Sequence, residues 1–186
     1  PMTTFLVDES FMDFASEPQS LLDESLLKNN PNLFILKSLG KSHGIGGLRL
    51  GALVGASISK FNSDIPIWNV NSFSEHFMQR FKKHEKHYLK SLENIKNERT
   101  NMERKLSVLL NITIKESNGN FVYFELETRI AKDLQLFLFD NGFIIKLIEI
   151  NQDLSGIRLA IRDGLDNHLL IVATERFVKD DNQNTN

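Results

Sequence analysis

The sequence predicts an α/β fold in two parts, on three observations. Short apolar runs flank a glycine-rich loop in the first sixty residues, as strands of one sheet would. A long stretch from Phe73 then carries apolar residues at helical spacing. Beyond residue 111, alternating runs and helical patterns succeed one another, ending in an amphipathic segment.

Residues 5 to 7 (Phe-Leu-Val) read as the first strand, Leu33 to Leu36 as a second, and Leu50 to Ile58 as a third. Between the first two, Ser20-Leu-Leu-Asp-Glu-Ser-Leu-Leu27 reads as a short helix bounded by Pro18 and Pro31. Phe73, Phe77, Phe81, Tyr88, Leu92, Ile95, Met102 and Leu106 then recur at spacings of three, four or seven. Continuous from Phe73 to Leu110, that helix would measure about 57 Å. A break is expected near Asn94 to Asn101, with Asn71 or Ser72 as N-cap and Glu75 favourably placed in the first turn. The rest reads as strands 112 to 116 and 120 to 126, a helix 128 to 141, a strand near 143 to 148, a strand 156 to 162 and a helix 165 to 178. Asn141-Gly142 makes a good helix stop, and Lys179 to Asn186 is expected to be a loose polar tail.

Composition removes several function classes. A net charge of -2 gives no general nucleic-acid footprint. The absence of cysteine removes disulfides and thiol catalysis and suits a reducing cytoplasm, which is the expected compartment. There is no secretory apolar region and no apolar stretch of about 18 residues that would span a membrane. His84 and His87 in Lys82-Lys-His-Glu-Lys-His87 lack the rest of a zinc set, so no metal is expected and the run reads as a solvated helical face.

The chemistry concentrates in Phe34-Ile-Leu-Lys-Ser-Leu-Gly-Lys-Ser-His-Gly-Ile-Gly-Gly-Leu-Arg-Leu-Gly51, where an apolar run gives way to Ser38, Lys41 and a glycine-rich loop ending in Arg49. A single amine and a single guanidinium on such a loop suggest a bound anion and a reactive carbonyl. An amine that attacks a carbonyl must shed its proton near neutral pH, which cationic neighbours and partial desolvation favour. Arginine suits phosphate because its planar fork donates two parallel hydrogen bonds. Gly40-Lys41-Ser42 looks like the end of a P-loop, but position 35, where that motif needs glycine, is Ile. The dinucleotide fingerprint fails as well, since Gly44-Ile-Gly46-Gly-Leu is followed by Arg49. A basic surface turn between two strands is the plainer alternative.

Two further constellations stand apart from this loop. Asp8 lies at the carboxyl end of the first strand, where ligands of open α/β sheets collect and where an Asp also serves as a turn or cap residue. Gly156-Ile-Arg-Leu-Ala-Ile-Arg162 alternates, placing Arg158 and Arg162 on one face; a strand arginine is also commonly an exposed ion-pair partner, the preferred reading for Arg162.

Taken together, these segments resemble the carboxyl-terminal half of fold-type I pyridoxal-phosphate aminotransferases, in the branch of histidinol-phosphate aminotransferases and threonine-phosphate decarboxylases. The lysine loop resembles that family's cofactor-lysine segment, and Val7-Asp-Glu-Ser-Phe-Met-Asp-Phe14 its V-D-E-A-Y/F-x-D-F signature. Pro66-Ile-Trp-Asn-Val-Asn-Ser72 is similar to the segment leading into the domain-connecting helix, Asn120-Phe-Val-Tyr-Phe124 to a small-domain strand, and Gly156-Ile-Arg-Leu-Ala-Ile-Arg162 to the L-R-I strand bearing the carboxylate-binding arginine, which Arg158 matches.

The resemblance implies a PLP-dependent enzyme in which Lys41 is the catalytic Schiff-base lysine. Asp8 would pair with the pyridine nitrogen, Ser38 and Arg49 would hold the cofactor phosphate, and Arg158 would clamp the substrate α-carboxylate. Phe11 stands where tyrosine is commoner, so that hydroxyl's contact with the cofactor is lost. The implied architecture is a partial large-domain sheet (1–72), a connecting helical region (73–110), a small α+β domain (111–179) and a polar tail (180–186). Implied partners are an amino acid or amino-phosphate and a 2-oxo acid, with a homodimer or a complementing N-terminal half. That half would carry the ring-stacking aromatic residue, an Asn on the ring oxygen and a small-residue turn on the phosphate. The alternatives are an amino-acid-phosphate decarboxylase and a noncatalytic interaction domain, the latter drawn from the apolar surface that loss of the other half would uncover.

Overall fold

A computed structural model describes residues 3–184, which divide into two units meeting at Leu92 and Glu93. In the first unit, strands β1 (Phe5–Asp8), β2 (Leu33–Ser38) and β3 (Gly51–Val54) form a sheet in the order β1-β2-β3. β1 runs parallel to β2 with Asp8 opposite Leu36, and β3 runs antiparallel to β2 with Gly51 opposite Ser38. Phe34 and Ile35 of β2 are buried, as the apolar run requires.

Helix α1 (Glu24–Asn29) begins later than its sequence suggests. The buried carboxylate of Glu9 accepts from the Ser20 hydroxyl and the Leu21 N–H, both at 2.6 Å, which holds those residues out of a helix. Asp23 caps α1 instead, accepting the Leu26 N–H. β3 is also shorter than 50–58: after Gly55 the chain turns through Ile58–Asp64, so that Phe61 packs edge-on against Phe34 at 5.3 Å. The lysine loop contains a single turn, α2 (Leu39–Ser42), that the periodicity did not suggest.

Helix α3 (Ser72–Arg80) has Asn71 as its N-cap, accepting the Ser74 N–H at 2.9 Å. A 3₁₀ turn over Phe81–His84 separates it from α4 (Glu85–Leu110). The expected break at Asn94 to Asn101 is therefore corrected to the cationic run Lys82-Lys83-His84. Asparagine is only a mildly poor helix former, and burial of Arg99, Met102 and Leu106 outweighs it.

The second unit pairs β4 (Phe121–Glu127), β5 (Lys146–Glu149) and β6 (Leu154–Ala160) as an antiparallel sheet in the order β4-β6-β5. Helices α5 (Thr128–Asp140) and α6 (Gly164–Asn184) complete its core with Met102, Leu106, Val122, Phe124, Leu134 and Ile157. α5 stops as expected: Gly142 has φ +88°, and the Phe143 and Gly142 N–H groups bond back to Leu138 and Phe139.

The strand expected over 112–116 does not form. Asn111 turns with φ +53°, the Ile112 N–H returns to Ser107 O, and the Ser117 N–H is taken by Glu103 of α4. Helix hydrogen-bond acceptors thus replace a strand partner. α6 passes its expected end at 178 and occupies much of the predicted tail, the Lys179–Glu175 pair (2.9 Å) continuing its spacing; residues 185 and 186 lie outside the described part. Among the described residues no helix is long and apolar enough to cross a membrane.

Candidate functional site

Asp8, Ser38 and the Lys41–Arg49 loop meet at one end of the first sheet because the strand register brings them there. β1 ends at Asp8 beside Leu36, whose carbonyl accepts the Glu9 N–H at 2.8 Å. The chain then turns, and the Ser10 N–H bonds back to Asp8 Oδ1 at 2.8 Å, as short polar side chains do at strand ends. The buried Ser10 hydroxyl accepts the Ser38 N–H at 3.0 Å, linking the end of β1 to the end of β2.

The loop folds back on itself. The Leu39 N–H donates to Leu50 O at 3.1 Å and Ser38 lies opposite Gly51, so the returning chain that follows Arg49 runs beside the end of β2. Gly40 approaches Gly46 so closely that a Cβ on Gly40 would sit 3.3 Å from the Gly46 Cα. Arg49 takes a left-handed conformation (φ 56°, ψ 45°), unusual for a residue with a side chain. Its neighbours hold it there: Leu48 O accepts from Asn71 and Ser74 at 3.0 and 2.8 Å, and Leu50 is buried. The exposed Arg49 guanidinium donates to Gly46 O at 3.3 Å.

Lys41 and Asp8 are both exposed at this end. The Lys41 ammonium sits 3.9 Å from the centroid of the Phe11 ring, a cation–π contact. The Asp8 carboxyl lies below the usual Asp range, chiefly through the Ser10 hydroxyl and then the Ser10 N–H. Slight desolvation opposes this, and the positive charge of Lys41 adds to it. Asp8 is thus held as a carboxylate facing a cation.

A second, more enclosed cluster lies in the same unit. Asp13 accepts from Lys37 Nζ at 2.6 Å and from the Tyr88 hydroxyl at 2.7 Å. Burial pushes the Asp13 carboxyl up, but the bonds from Lys37, Tyr88 and Ser42 bring it net below its ordinary value. Burial raises the Tyr88 phenol to about 12. His43 is enclosed by Phe77, Phe81 and Tyr88, and burial lowers its pKa against the pull of Asp13.

Arg158 belongs to the second unit. It is exposed on β6, opposite Tyr123 of β4 and Lys146 of β5, with its guanidinium 5.4 Å from the Phe121 ring centroid. Arg162 lies past the strand and pairs with Asp166 at 2.5 Å, the ion-pair reading preferred for it. Sequence reasoning did not single out Ser10, Asp13, Lys37 or Tyr88. The spacing of Ser10 two residues after Asp8 was the available signal for the first, whereas the pairing of Asp13 with Tyr88 depends on tertiary structure.

An exposed amine, an ionised carboxylate and an arginine-bearing loop are thus gathered at the same strand ends of an α/β sheet. Residues 3–150 match the family model for aminotransferase class I and II, and the chain belongs to that family. It is 29% identical to the L-serine phosphate decarboxylase of Sulfurospirillum multivorans, over 94% of this chain and 47% of the relative. It is 28% identical to histidinol-phosphate aminotransferase 1 of Legionella pneumophila (strain Paris), over 94% and 48% respectively. The crystal structure of the histidinol-phosphate aminotransferase from Clostridium acetobutylicum superposes with a TM-score of 0.82 at 25% identity, covering 95% of this chain and 55% of that one. The chain spans less than half the length of these two curated relatives.

The cofactor of the family is pyridoxal 5'-phosphate. The donor set here fits it: an amine for its aldehyde, a carboxylate for its ring nitrogen, and a guanidinium and hydroxyl for its phosphate. The close backbone approach of Gly40 and Gly46 leaves the loop without side-chain bulk at that point.

Proposed function

We propose that this chain carries the lysine-bearing part of a pyridoxal-phosphate aminotransferase that moves an amino group between an amino acid or amino-phosphate and a 2-oxo acid. The observation that supports it most directly is the placement of Asp8, Ser38, Lys41 and Arg49 at one end of the β1-β2-β3 sheet. In this reading residues 1–72 belong to a larger cofactor domain and 111–179 to the small domain, in a homodimer or with a complementing N-terminal half.

When bound, pyridoxal phosphate supplies an aldehyde and a ring that accepts electrons from the substrate Cα. Lys41 would hold the cofactor through its Nζ, and the same amine would serve as the base for the substrate Cα proton. Asp8, held in its ionised form, would be the partner for the ring nitrogen and would favour that nitrogen's protonated form. Ser38 and Arg49 bind the phosphate, Arg49 through its two-pronged fork. Arg158 is assigned the substrate α-carboxylate, which orients the bond to be broken.

The similarity to a serine-phosphate decarboxylase supports a second reading, in which the Cα–carboxylate bond breaks instead. Product analysis separates the two. Amino transfer from histidinol phosphate to 2-oxoglutarate supports the first, and carbon dioxide release from threonine phosphate supports the second.

The primary test is to add pyridoxal phosphate to the chain and to Lys41→Ala, record the imine absorbance, and trap with borohydride before mass analysis. Stoichiometric labelling that disappears in Lys41→Ala is the expected result. Equal labelling in both proteins overturns the assignment of Lys41.

A further inference from the structure

The Asp8 carboxylate is exposed, yet it is anchored through a buried residue. Ser10 is 3% exposed and stands between the ends of β1 and β2. Its backbone N–H donates to Asp8 Oδ1 at 2.8 Å, and its Oγ accepts the Ser38 N–H at 3.0 Å. A hydroxyl that accepts one bond still carries a proton to donate, and a buried O–H without an acceptor is costly. The turn that bonds the Ser10 N–H to Asp8 Oδ1 at 2.8 Å brings that carboxylate to the same residue as an acceptor.

We infer that Ser10 is a positioning residue that ties Asp8 to Ser38, its hydroxyl donating to the Asp8 carboxylate while accepting the Ser38 N–H. The inference rests on the proposal that Asp8 partners the cofactor's ring nitrogen, and deepens it. One side chain couples the group facing the ring nitrogen to the backbone of the residue assigned to the phosphate. In the signature that residues 7–14 resemble, alanine stands where this chain has Ser10, so the device belongs to this chain's own sequence.

The electrostatics agree with that geometry. The Ser10 hydroxyl is the largest influence holding the Asp8 carboxyl low, the Ser10 N–H adds to it, and the charge facing Asp8 from α2 is that of Lys41. A hydrogen bond donated to a carboxylate favours its ionised form. Removing the hydroxyl therefore raises the proton affinity of Asp8, and it also frees the Ser38 N–H. Ser10→Ala keeps the backbone N–H bond and changes little volume, so it isolates the hydroxyl's part.

The experiment is a carboxyl-carbon NMR titration of Asp8 in the chain, in Ser10→Ala, in Ser10→Thr and in Lys41→Ala, with amide exchange at Ser38 measured on the same samples. The expected result is an Asp8 midpoint below 3.8 in the unmodified chain that moves up toward 3.8 in Ser10→Ala. Ser38 exchange should quicken about fivefold there, as for loss of one ordinary hydrogen bond. Ser10→Thr, which restores a hydroxyl, should keep the midpoint lower than Ser10→Ala does, and Lys41→Ala should raise it less. An unmoved Asp8 midpoint or unchanged Ser38 exchange in Ser10→Ala overturns the inference. Failure of the underlying reading is separately visible: if Asp8→Asn leaves the absorbance of added pyridoxal phosphate unchanged, Asp8 is not its ring-nitrogen partner, whatever Ser10 does.

Discussion

The imidazole of His43 lies face to face on the ring of Tyr88, with centroids 4.1 Å apart and planes 5° apart, and its buried Nε2 has no hydrogen-bond partner among the described residues. The stacking is favourable, but the unpaired nitrogen is not. His43→Phe keeps an aromatic ring against Tyr88 and removes that nitrogen, at the loss of the Ser42 contact to Nδ1. It is expected to raise stability by about 1 kcal/mol in urea unfolding at neutral pH. The pH dependence has a definite sign. The folded His43 pKa lies below 6.5, so under acidification the unfolded chain takes up this proton first and stability falls from about pH 6.5 downward. The difference between His43→Phe and the unmodified chain should therefore widen as pH drops below 6.5.

Asp13 is expected to be the residue whose loss most disturbs the first unit. It accepts from Lys37 and Tyr88 together, and the Asp13 and Lys37 side chains are only 15% and 20% exposed. Asp13→Ala leaves the Lys37 ammonium without this partner in a half-buried site, at a cost of about 2–4 kcal/mol. The folded Asp13 pKa is depressed, so the pair's contribution is present above the ordinary Asp range and disappears as pH falls through the folded value. Urea unfolding at neutral pH and near pH 3 should show the Asp13→Ala penalty shrinking in acid; an equal penalty at both would count against the ion pair.

What the sequence revealed about this fold follows from the range of the interactions involved. β1, β2 and α5 were legible because periodicity and local stop signals act within a few residues, as at Asn141-Gly142. The strand expected over 112–116 was not, because the bonds that replace it come from Ser107 and Glu103 on α4. The start of α1 likewise depends on Glu9, eleven residues before Ser20. In the site, Lys41, Ser38 and Arg49 stood out because one loop holds all three. Ser10 and the Asp13–Tyr88 bond did not, since a bridge between two strand ends and a contact over 75 positions leave no spacing pattern.

Arg49, proposed to hold the cofactor phosphate, offers a variant in which folding and binding effects come apart. Its φ of 56° costs about 1–2 kcal/mol for a residue with a Cβ, whereas glycine adopts it freely. Arg49→Gly is therefore expected to unfold at the same or a higher temperature, while its affinity for pyridoxal phosphate drops at least about tenfold through loss of a charge-assisted contact. Arg49→Lys retains both the charge and the strained backbone but loses the planar fork, so its affinity should fall between the two. Calorimetry and absorbance titration on the same samples check both halves. Undiminished cofactor affinity in Arg49→Gly would remove Arg49 from the phosphate site.

Gly55 follows the last residue of β3 and lies against β2. A Cβ added there would lie 2.6 Å from Phe34 Cδ1 and 2.9 Å from the Leu33 carbonyl oxygen, closer than real Cβ contacts come. The Leu33 oxygen is backbone in a paired strand, and the Phe34 ring is 5% exposed and packed edge-on against Phe61. Neither neighbour can yield cheaply, so Gly55→Ala is expected to destabilise the chain by about 1–3 kcal/mol through overpacking. Gly47→Ala is the matched comparison, because none of the described residues beyond its chain neighbours lies within 4 Å of its added Cβ and its φ is not in the left-handed region. There the substitution should leave stability unchanged or raise it by about 0.5 kcal/mol, since alanine has less unfolded-state freedom than glycine. Urea unfolding of both variants reads the difference directly, and a Gly55→Ala protein as stable as Gly47→Ala would mean that β3 leaves the sheet before Gly55 reaches Phe34.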